Sequence, residues 1–514
     1  MKKVFLILTS VVLFSCDNFM EVNEEQSNNP SADILTPNNM LAGAMNNFTS
    51  NQVISFNNFG NEMSYVWALN NGFTSSNPNT TYDFASSSNT GLFDTTYLFA
   101  DNFQDILDKQ AEKPEYAHHY AIAKLFKVMS MDLLVTLYGD VPYTEAFNSA
   151  ITKPKYDDDA TIIPKLFLEL DQARSLITST DPSIVPLGAE DIVCKGDVAK
   201  WLKFINTVEL RMLLRLSKTT NANLIALRNA RFATLPNNFI TSDVTNNPGY
   251  GMATLGDRNP IFRTWGRNVA FDDWSNAWKA NAAGSFCAKL LLGQLNTPDI
   301  VNTGFVDPRR PRIFNGTTYT NQGSTPVVDV ARFATFFHGR TGSAVDPANK
   351  AASERNAFIM LAAESYFLQA EAVQRGYMAG SAQALFDQGI QASFAFYNDY
   401  SFTDLPNGTL NPATYITASS TRLGLGWAAT PDKLNCIMNQ KYIALAQWNG
   451  FELFIDNLRT GYPALPLPDG VTRPNRPYRQ IYPSSEYSTN SSNVPNVTVD
   501  EIFSVNAKTP VYLQ

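Results

Sequence analysis

SERNAFIMLAAESYFLQAEAVQRG, residues Ser353 to Gly376, decides how this 514-residue chain is read. The spacing predicts one amphipathic helix of about six turns. Ser353 serves as N-cap, Arg375 sits in the last turn and Gly376 supplies the stop. Phe358, Leu361, Ala362, Ser365, Tyr366, Gln369, Ala372 and Val373 keep the helical period, with small residues where a second helix approaches closely. Glu364 and Glu371 lie two turns apart on nearly one face, and Arg375 follows Glu371 by four, a favourable order for an ion pair. A second helical run, Ala382 to Tyr397, follows a short turn containing Gly376 and Ser381. The two make a helical hairpin of the kind stacked in helical-repeat proteins.

Working outward, hydrophobic residues make up 44% of the chain and charged residues only 17%, a neutral-polar globular composition with 12% aromatics. The formal charge is -8, and no basic stripe exists to neutralise phosphates, which argues against nucleic acid as a partner. Lys2 and Lys3 precede an apolar run, Val4 to Phe14, too short to span a bilayer. Leu13-Phe14-Ser15-Cys16 then resembles a lipoprotein signal-peptidase box, with acylation of Cys16 as the expected anchor. The expected organisation is a signal peptide over 1–15, a lipidated polar tether over 16–33 and one domain over 34–514. Cys194, Cys287 and Cys436 share no metal-ligand spacing and are expected as buried free thiols.

Family-level signals lie on both sides of the opening stretch. Gly139-Asp140-Val141-Pro142-Tyr143-Thr144-Glu145-Ala146 reads as a helix stop, a proline-directed turn and a tyrosine packing back on it. Gly196-Asp197-Val198-Ala199-Lys200-Trp201 opens a helix with Asp197 as N-cap. Its buried stripe is Trp201, Phe204, Ile205, Val208, Met212 and Leu216, and Arg211 and Arg215 await carboxylates of a neighbouring helix. Asp307-Pro308-Arg309, Gln440-Lys441-Tyr442-Ile443-Ala444-Leu445, Asn449-Gly450-Phe451-Glu452 and Leu458-Arg459-Thr460-Gly461-Tyr462-Pro463 follow in order.

Together with Ala363 to Gly376 these elements resemble the SusD/RagB family of nutrient-binding outer-membrane lipoproteins of Bacteroidetes, from Cys16 to about Asn490. Glu209 stands where that family carries an arginine, which puts one inherited ion pair in doubt. The resemblance implies a mainly α, SusD-like fold: four tetratricopeptide-like helical hairpins carrying an irregular, loop-rich half. It also implies a surface lipoprotein that captures a nutrient oligomer, an oligosaccharide or a peptide, and delivers it to a SusC-like TonB-dependent transporter barrel. The expected place is the outer membrane, lipid-anchored and facing the exterior.

Two aromatic stretches are candidate ligand contacts. Trp67, Phe73 and Tyr82 lie around the loop 70–88, and Trp265 and Trp274 lie in the aperiodic stretch 241–279. Indole and phenol rings offer flat apolar faces with a polar tip, suited to stacking on sugars or peptide side chains. Asn71, Arg267 and Asn268 are the expected polar helpers. The same rings serve equally as core plugs, and Trp274 and Trp278, four apart, fit one buried helix face; Trp278 is read as core and Trp265 as a binding residue.

Catalysis is not expected. Only His118, His119 and His338 are present, with no nucleophile-elbow, zincin or phosphate-loop pattern. Lys155-Tyr156-Asp157-Asp158-Asp159 lacks EF-hand spacing, so no metal is expected there; Asp158 or Asp159 instead caps a helix over Thr161 to Thr178. No cofactor is implied. A surface glycoside hydrolase and a helical-repeat interaction scaffold without a small ligand stand as alternatives to nutrient capture.

Overall fold

The computed structural model describes residues 35–73, 77–399 and 408–514; Cys16 and the leader lie outside the described residues. Among the helices, in chain order, are α1 (Pro37–Asn51), α2 (Asn57–Met63), α3 (Gly91–Leu107), α4 (Ala117–Tyr138), α5 (Asp159–Ile177), α6 (Val198–Arg215), α7 (Ala222–Thr234), α8 (Pro347–Glu354), α9 (Ala362–Gln374), α10 (Ala382–Asp399), α11 (Lys433–Leu445) and α12 (Gly450–Thr460). The strands are short: β1 (Trp67–Leu69), β2 (Val141–Pro142), β3 (Tyr156–Asp157), β4 (Val244–Asn246), β5 (Asn281–Ala283) and β6 (Ala357–Met360). They pair antiparallel as β1 with β5, β2 with β3 and β4 with β6. The fold is therefore mainly α. Among the described residues no helix is long and apolar enough to cross a membrane.

The deciding stretch is not one helix. α8 ends at Glu354, Ala357 to Met360 form β6, and only Ala362 to Gln374 are helical. All four residues of β6 are buried, and a short apolar run buried on every side has no period that separates strand from helix. Pairing with β4 decides it. Asp243, just before β4, accepts a hydrogen bond from Ala362 N (2.8 Å) and so caps α9 from another segment. The far end follows the sequence: Arg375 Nε donates to Glu371 (2.7 Å), and Gly376, at φ +74°, takes the left-handed stop. α10 then packs along α9 as the second half of the hairpin.

The remaining helices form a continuous layer in which α1 packs on α3, α3 on α4, α4 on α5, α5 on α6, and α6 on α9. Asp197 caps α6 by accepting from Lys200 N (2.9 Å), and the stripe from Trp201 to Leu216 is buried. Asp158 occupies the N-cap position of α5 without a side-chain bond to its first turn, and α5 begins two residues earlier than the sequence suggests. Arg211 reaches Glu364 (3.4 Å) and Glu452 (3.5 Å), and Arg215 reaches Glu452 and Asp132 (3.5 Å). Glu209 does not leave an orphan charge, because Arg174 and Arg231 both turn to it. Buried charges placed in pairs avoid the desolvation penalty of lone ones and fix which helix faces which.

α2 crosses α12 where Gly60 meets Gly450. A Cβ on Gly60 would lie 2.0 Å from Phe451 N, and one on Gly450 would lie 2.2 Å from Asn61 N. Asn57 Oδ1 accepts from Gly450 N (2.9 Å) across this contact, so the Asn449-Gly450 pair is a packing device. The three cysteines in the described residues are buried free thiols.

Candidate ligand-binding site

α1 runs through a π-helical turn, Gln52–Phe56, directly into α2, which ends at Met63, and β1 follows at Trp67. The wider turn shifts the side chains after it out of α-helical register. Ile54, Ser55, Asn58 and Phe59 thereby make one wall of a hollow of about 350 Å³. Asn89, Gly91 and Leu92, at the start of α3, make a second wall, and Thr264, Trp265 and Ala277 a third. The volume falls in the range of small-molecule sites.

Two short helices carry the third wall. Asn259 caps Pro260–Trp265, accepting from Ile261 N (2.8 Å), and Ser275 caps Asn276–Ala280, accepting from Trp278 N (3.2 Å). The hollow thus has an apolar side (Ile54, Phe59, Leu92, Trp265, Ala277) and a polar side (Ser55, Asn58, Asn89, Thr264), with no charged residue in its lining among the described residues.

Behind the polar side lies Glu62, which is buried. Its carboxylate accepts from Asn77 Nδ2 (2.9 Å) and Asn79 Nδ2 (2.7 Å), and Asn58 donates to it as well. Burial pushes its carboxyl above the usual range, and the asparagine donors pull it partly back. Asn77 caps the short helix Pro78–Thr81, which brings Asn79 to Glu62. The loop after β1 is therefore part of the site's frame.

The expected contact residues separate into three groups. Trp67 and Trp265 are 0% and 1% exposed, pack edge to face at 5.1 Å, and join Phe333 and Phe337 in an aromatic core. Neither indole presents a free face for stacking; Trp265 lines the hollow, and Trp67 only supports it. Tyr82 is buried against Phe84 and Phe503 and accepts from Arg476 Nη1 (3.0 Å), which makes it a core residue. Trp67, in β1, and Tyr82, at the end of the short helix Pro78–Thr81, are thus packed among core rings with no face open for stacking.

Arg267 is also buried: its guanidinium donates to Phe271 O (2.7 Å) and lies over Trp274 (4.9 Å), holding the turn 266–275 from inside. Asn268 completes that turn, donating to Asp272 (2.7 Å). Trp274 and Trp278 stack in parallel at 4.4 Å, half-buried, with Arg332 over Trp278 (4.2 Å) and the edge of His338 against both. Trp278, read as core, packs partly buried against the core that holds Trp67 and Trp265, and Trp274 stacks on it. Burial brings the His338 imidazole down to about 4, so it is neutral at physiological pH. The outer indole faces are already covered by guanidinium groups, which leaves edges for a ligand. Asn71 and Phe73 are half-buried in the turn beside β1, where Asn70 donates to Lys279 O (3.2 Å).

Ser55, Asn58, Asn89 and Thr264 have no place in the sequence expectations. A signal does exist in residues 57–61, where Asn57, Asn58 and Asn61 sit in a helical stretch despite their poor helix propensity. Such residues persist in a buried helix when their amides are used.

The sequence matches, over residues 27–483, a family model described as starch-binding and associating with the outer membrane. A search of curated protein sequences returns no match. Among solved structures, the fold superposes with a TM-score of 0.67 on a chitin-binding SusD homolog from Flavobacterium johnsoniae, at 22% identity over 88% of this chain and 94% of that one. A SusD homolog from Parabacteroides distasonis gives 0.68 at 20% identity, over 89% and 94% of the two chains. A SusD/RagB family protein from Bacteroides thetaiotaomicron gives 0.68 at 17% identity, over 93% and 98%. With the family model covering most of its length and the same helical layer beneath a loop-rich half, this chain belongs to the SusD/RagB family.

Proposed function

We propose that this protein is a nutrient-binding protein of the outer membrane that captures a neutral oligosaccharide in the hollow between Asn58, Asn89, Thr264 and Trp265. The observation that carries the reading is the pairing of an uncharged polar wall with an apolar one in a space of about 350 Å³. A sugar unit has the same division, hydroxyls around its rim and C–H faces above and below. None of the lining residues carries a carboxylate, imidazole or thiol, so the hollow supplies contacts and no acid–base pair. Family membership supports capture of nutrients and association with the outer membrane. The finer parts are anchoring through acylated Cys16, exposure to the exterior, and hand-over to a TonB-dependent barrel. Exposed Val269, Val327 and Val328 are apolar surface that a protein partner could cover.

The test is calorimetric titration of protein lacking residues 1–16 with chito- and malto-oligosaccharides and with short neutral peptides. Saturable binding of one sugar series is expected, and Ala277→Trp, which fills the hollow, should abolish it while the melting curve keeps its shape. Binding of peptides alone, or sugar binding that survives Ala277→Trp, would overturn the reading.

A further inference from the structure

The buried carboxylate behind the hollow dictates which way its amides point. Three amide N–H groups converge on Glu62, so its carboxyl oxygens act as acceptors; Asn77 and Asn79 both turn their amino groups to it (2.9 and 2.7 Å), and Asn58 adds a third. Asn79 Oδ1 is thereby left facing Asn89 and accepts from Asn89 Nδ2 (2.8 Å). The second N–H of Asn89 goes to Gln480 Oε1 (3.0 Å). Asn89 has then spent both donors, and its Oδ1 is what remains for the hollow. Asn58 likewise spends a donor on Glu62. Thr264, the third polar lining residue with an assigned proton, gives its hydroxyl hydrogen to Pro260 O (2.9 Å) and keeps its lone pairs. Donors remain in the lining at the second N–H of Asn58, the Ser55 hydroxyl and Trp265 Nε1, the last a buried donor without an acceptor.

We infer that Glu62 is a positioning residue that fixes the hydrogen-bond polarity of the hollow, so that it takes a neutral polyol through the polyol's hydroxyl hydrogens and disfavours an anionic sugar. The chain of bonds runs Glu62 to Asn79 to Asn89, and each link leaves the next amide only one orientation. A uronate offers acceptors where Asn89 and Thr264 also offer acceptors, and its charge meets no cation among the described lining residues. This inference rests on the reading of the hollow as a sugar site and adds the class of sugar.

The experiment compares a neutral hexose oligosaccharide with its C6-oxidised uronate counterpart on wild type, Glu62→Gln and Ala277→Trp. Wild type should prefer the neutral ligand by about tenfold or more, the weight of one mismatched polar contact. Glu62→Gln introduces a donor at the end of the chain, so one asparagine must reverse, and the preference should fall to within about threefold. A selectivity ratio is unmoved by a merely looser fold, and circular dichroism melting reports whether the variant is folded. If it is not, the wild-type ratio still decides: equal binding of both ligands overturns the inference. An unchanged ratio in folded Glu62→Gln overturns it too, while leaving the sugar site intact. Neutral-sugar binding that survives Ala277→Trp places the ligand elsewhere and sinks both readings.

Discussion

Replacing Asp159 with asparagine tests how the start of α5 is held against the C-terminal segment. Asp159 is 6% exposed, and its Oδ2 accepts from Val511 N (2.7 Å). Burial pushes its carboxyl up from 3.8 to about 7; Asp140 and Asp158 add to the rise, and the Val511 bond opposes it. The folded state therefore holds a proton that the unfolded chain has released between those two values. Stability from this proton is fully present below the unfolded value near 3.8 and is lost as pH rises through about 7.

With about 1.4 kcal/mol per pH unit over roughly three units, the swing is about 4 kcal/mol. Asparagine keeps a carbonyl oxygen for Val511 N and does not titrate. Urea unfolding of both proteins from pH 4 to pH 8 isolates the effect, since other groups titrate alike in each. The variant should gain on the wild type at about 1.4 kcal/mol per unit up to pH 7 and hold that gain above it. A stability difference that is flat over this range, or that moves towards the wild type, would refute the account of Asp159 as a proton held by burial.

Two further substitutions follow from packing. Gly450→Ala places a methyl 2.2 Å from Asn61 N and must separate α2 from α12; a loss of about 3 kcal/mol or more in urea unfolding is expected, and a loss under about 1 kcal/mol would deny the close crossing. Trp265→Ala removes a ring from the core and from the hollow together, so a destabilisation of about 3–5 kcal/mol should accompany loss of sugar binding. Trp265→Phe should recover much of the stability and little of the binding, whereas recovery of both would assign the residue to packing alone.

What the sequence carries depends on whether a residue's partner is local. α6 and the α9–α10 hairpin are legible because period, cap and stop lie within each segment: Asp197 at one end, Gly376 at the other, and the stripe from Trp201 to Leu216 between. Ala357 to Met360 is illegible because its identity as a strand resides in β4, more than a hundred residues away. Trp67 and Trp265 share that difficulty in another form. An indole in a Gly- and Asn-rich stretch looks the same to a reader whether it meets a sugar or meets another indole, and these two meet each other. Trp274 and Trp278 divide the reading that their spacing suggests, since Trp278 packs against the core and Trp274 stacks on its outer side. The asparagines of the hollow escape notice because an amide in sequence carries no direction; Glu62 supplies it only in three dimensions.

The motif Asn449-Gly450 lies outside the lining of the hollow, yet it sets where the hollow lies. Asn449-Gly450 lets α12 meet the backbone of α2 at Gly60, and Asn57 locks the contact by accepting from Gly450 N. α2 also carries Asn58, Phe59 and Glu62, so one seven-residue helix bears the crossing on one side and the hollow's wall and polarity on the other. A displacement of α2 at Gly60 is transmitted one residue to Phe59 and two to Glu62, with no loop between to absorb it. Sequence restraint at the crossing and freedom at the third wall, Thr264, Trp265 and Ala277, are then compatible demands. The scaffold fixes the wall of Asn58 and Phe59, and the irregular half supplies the facing wall of Thr264, Trp265 and Ala277.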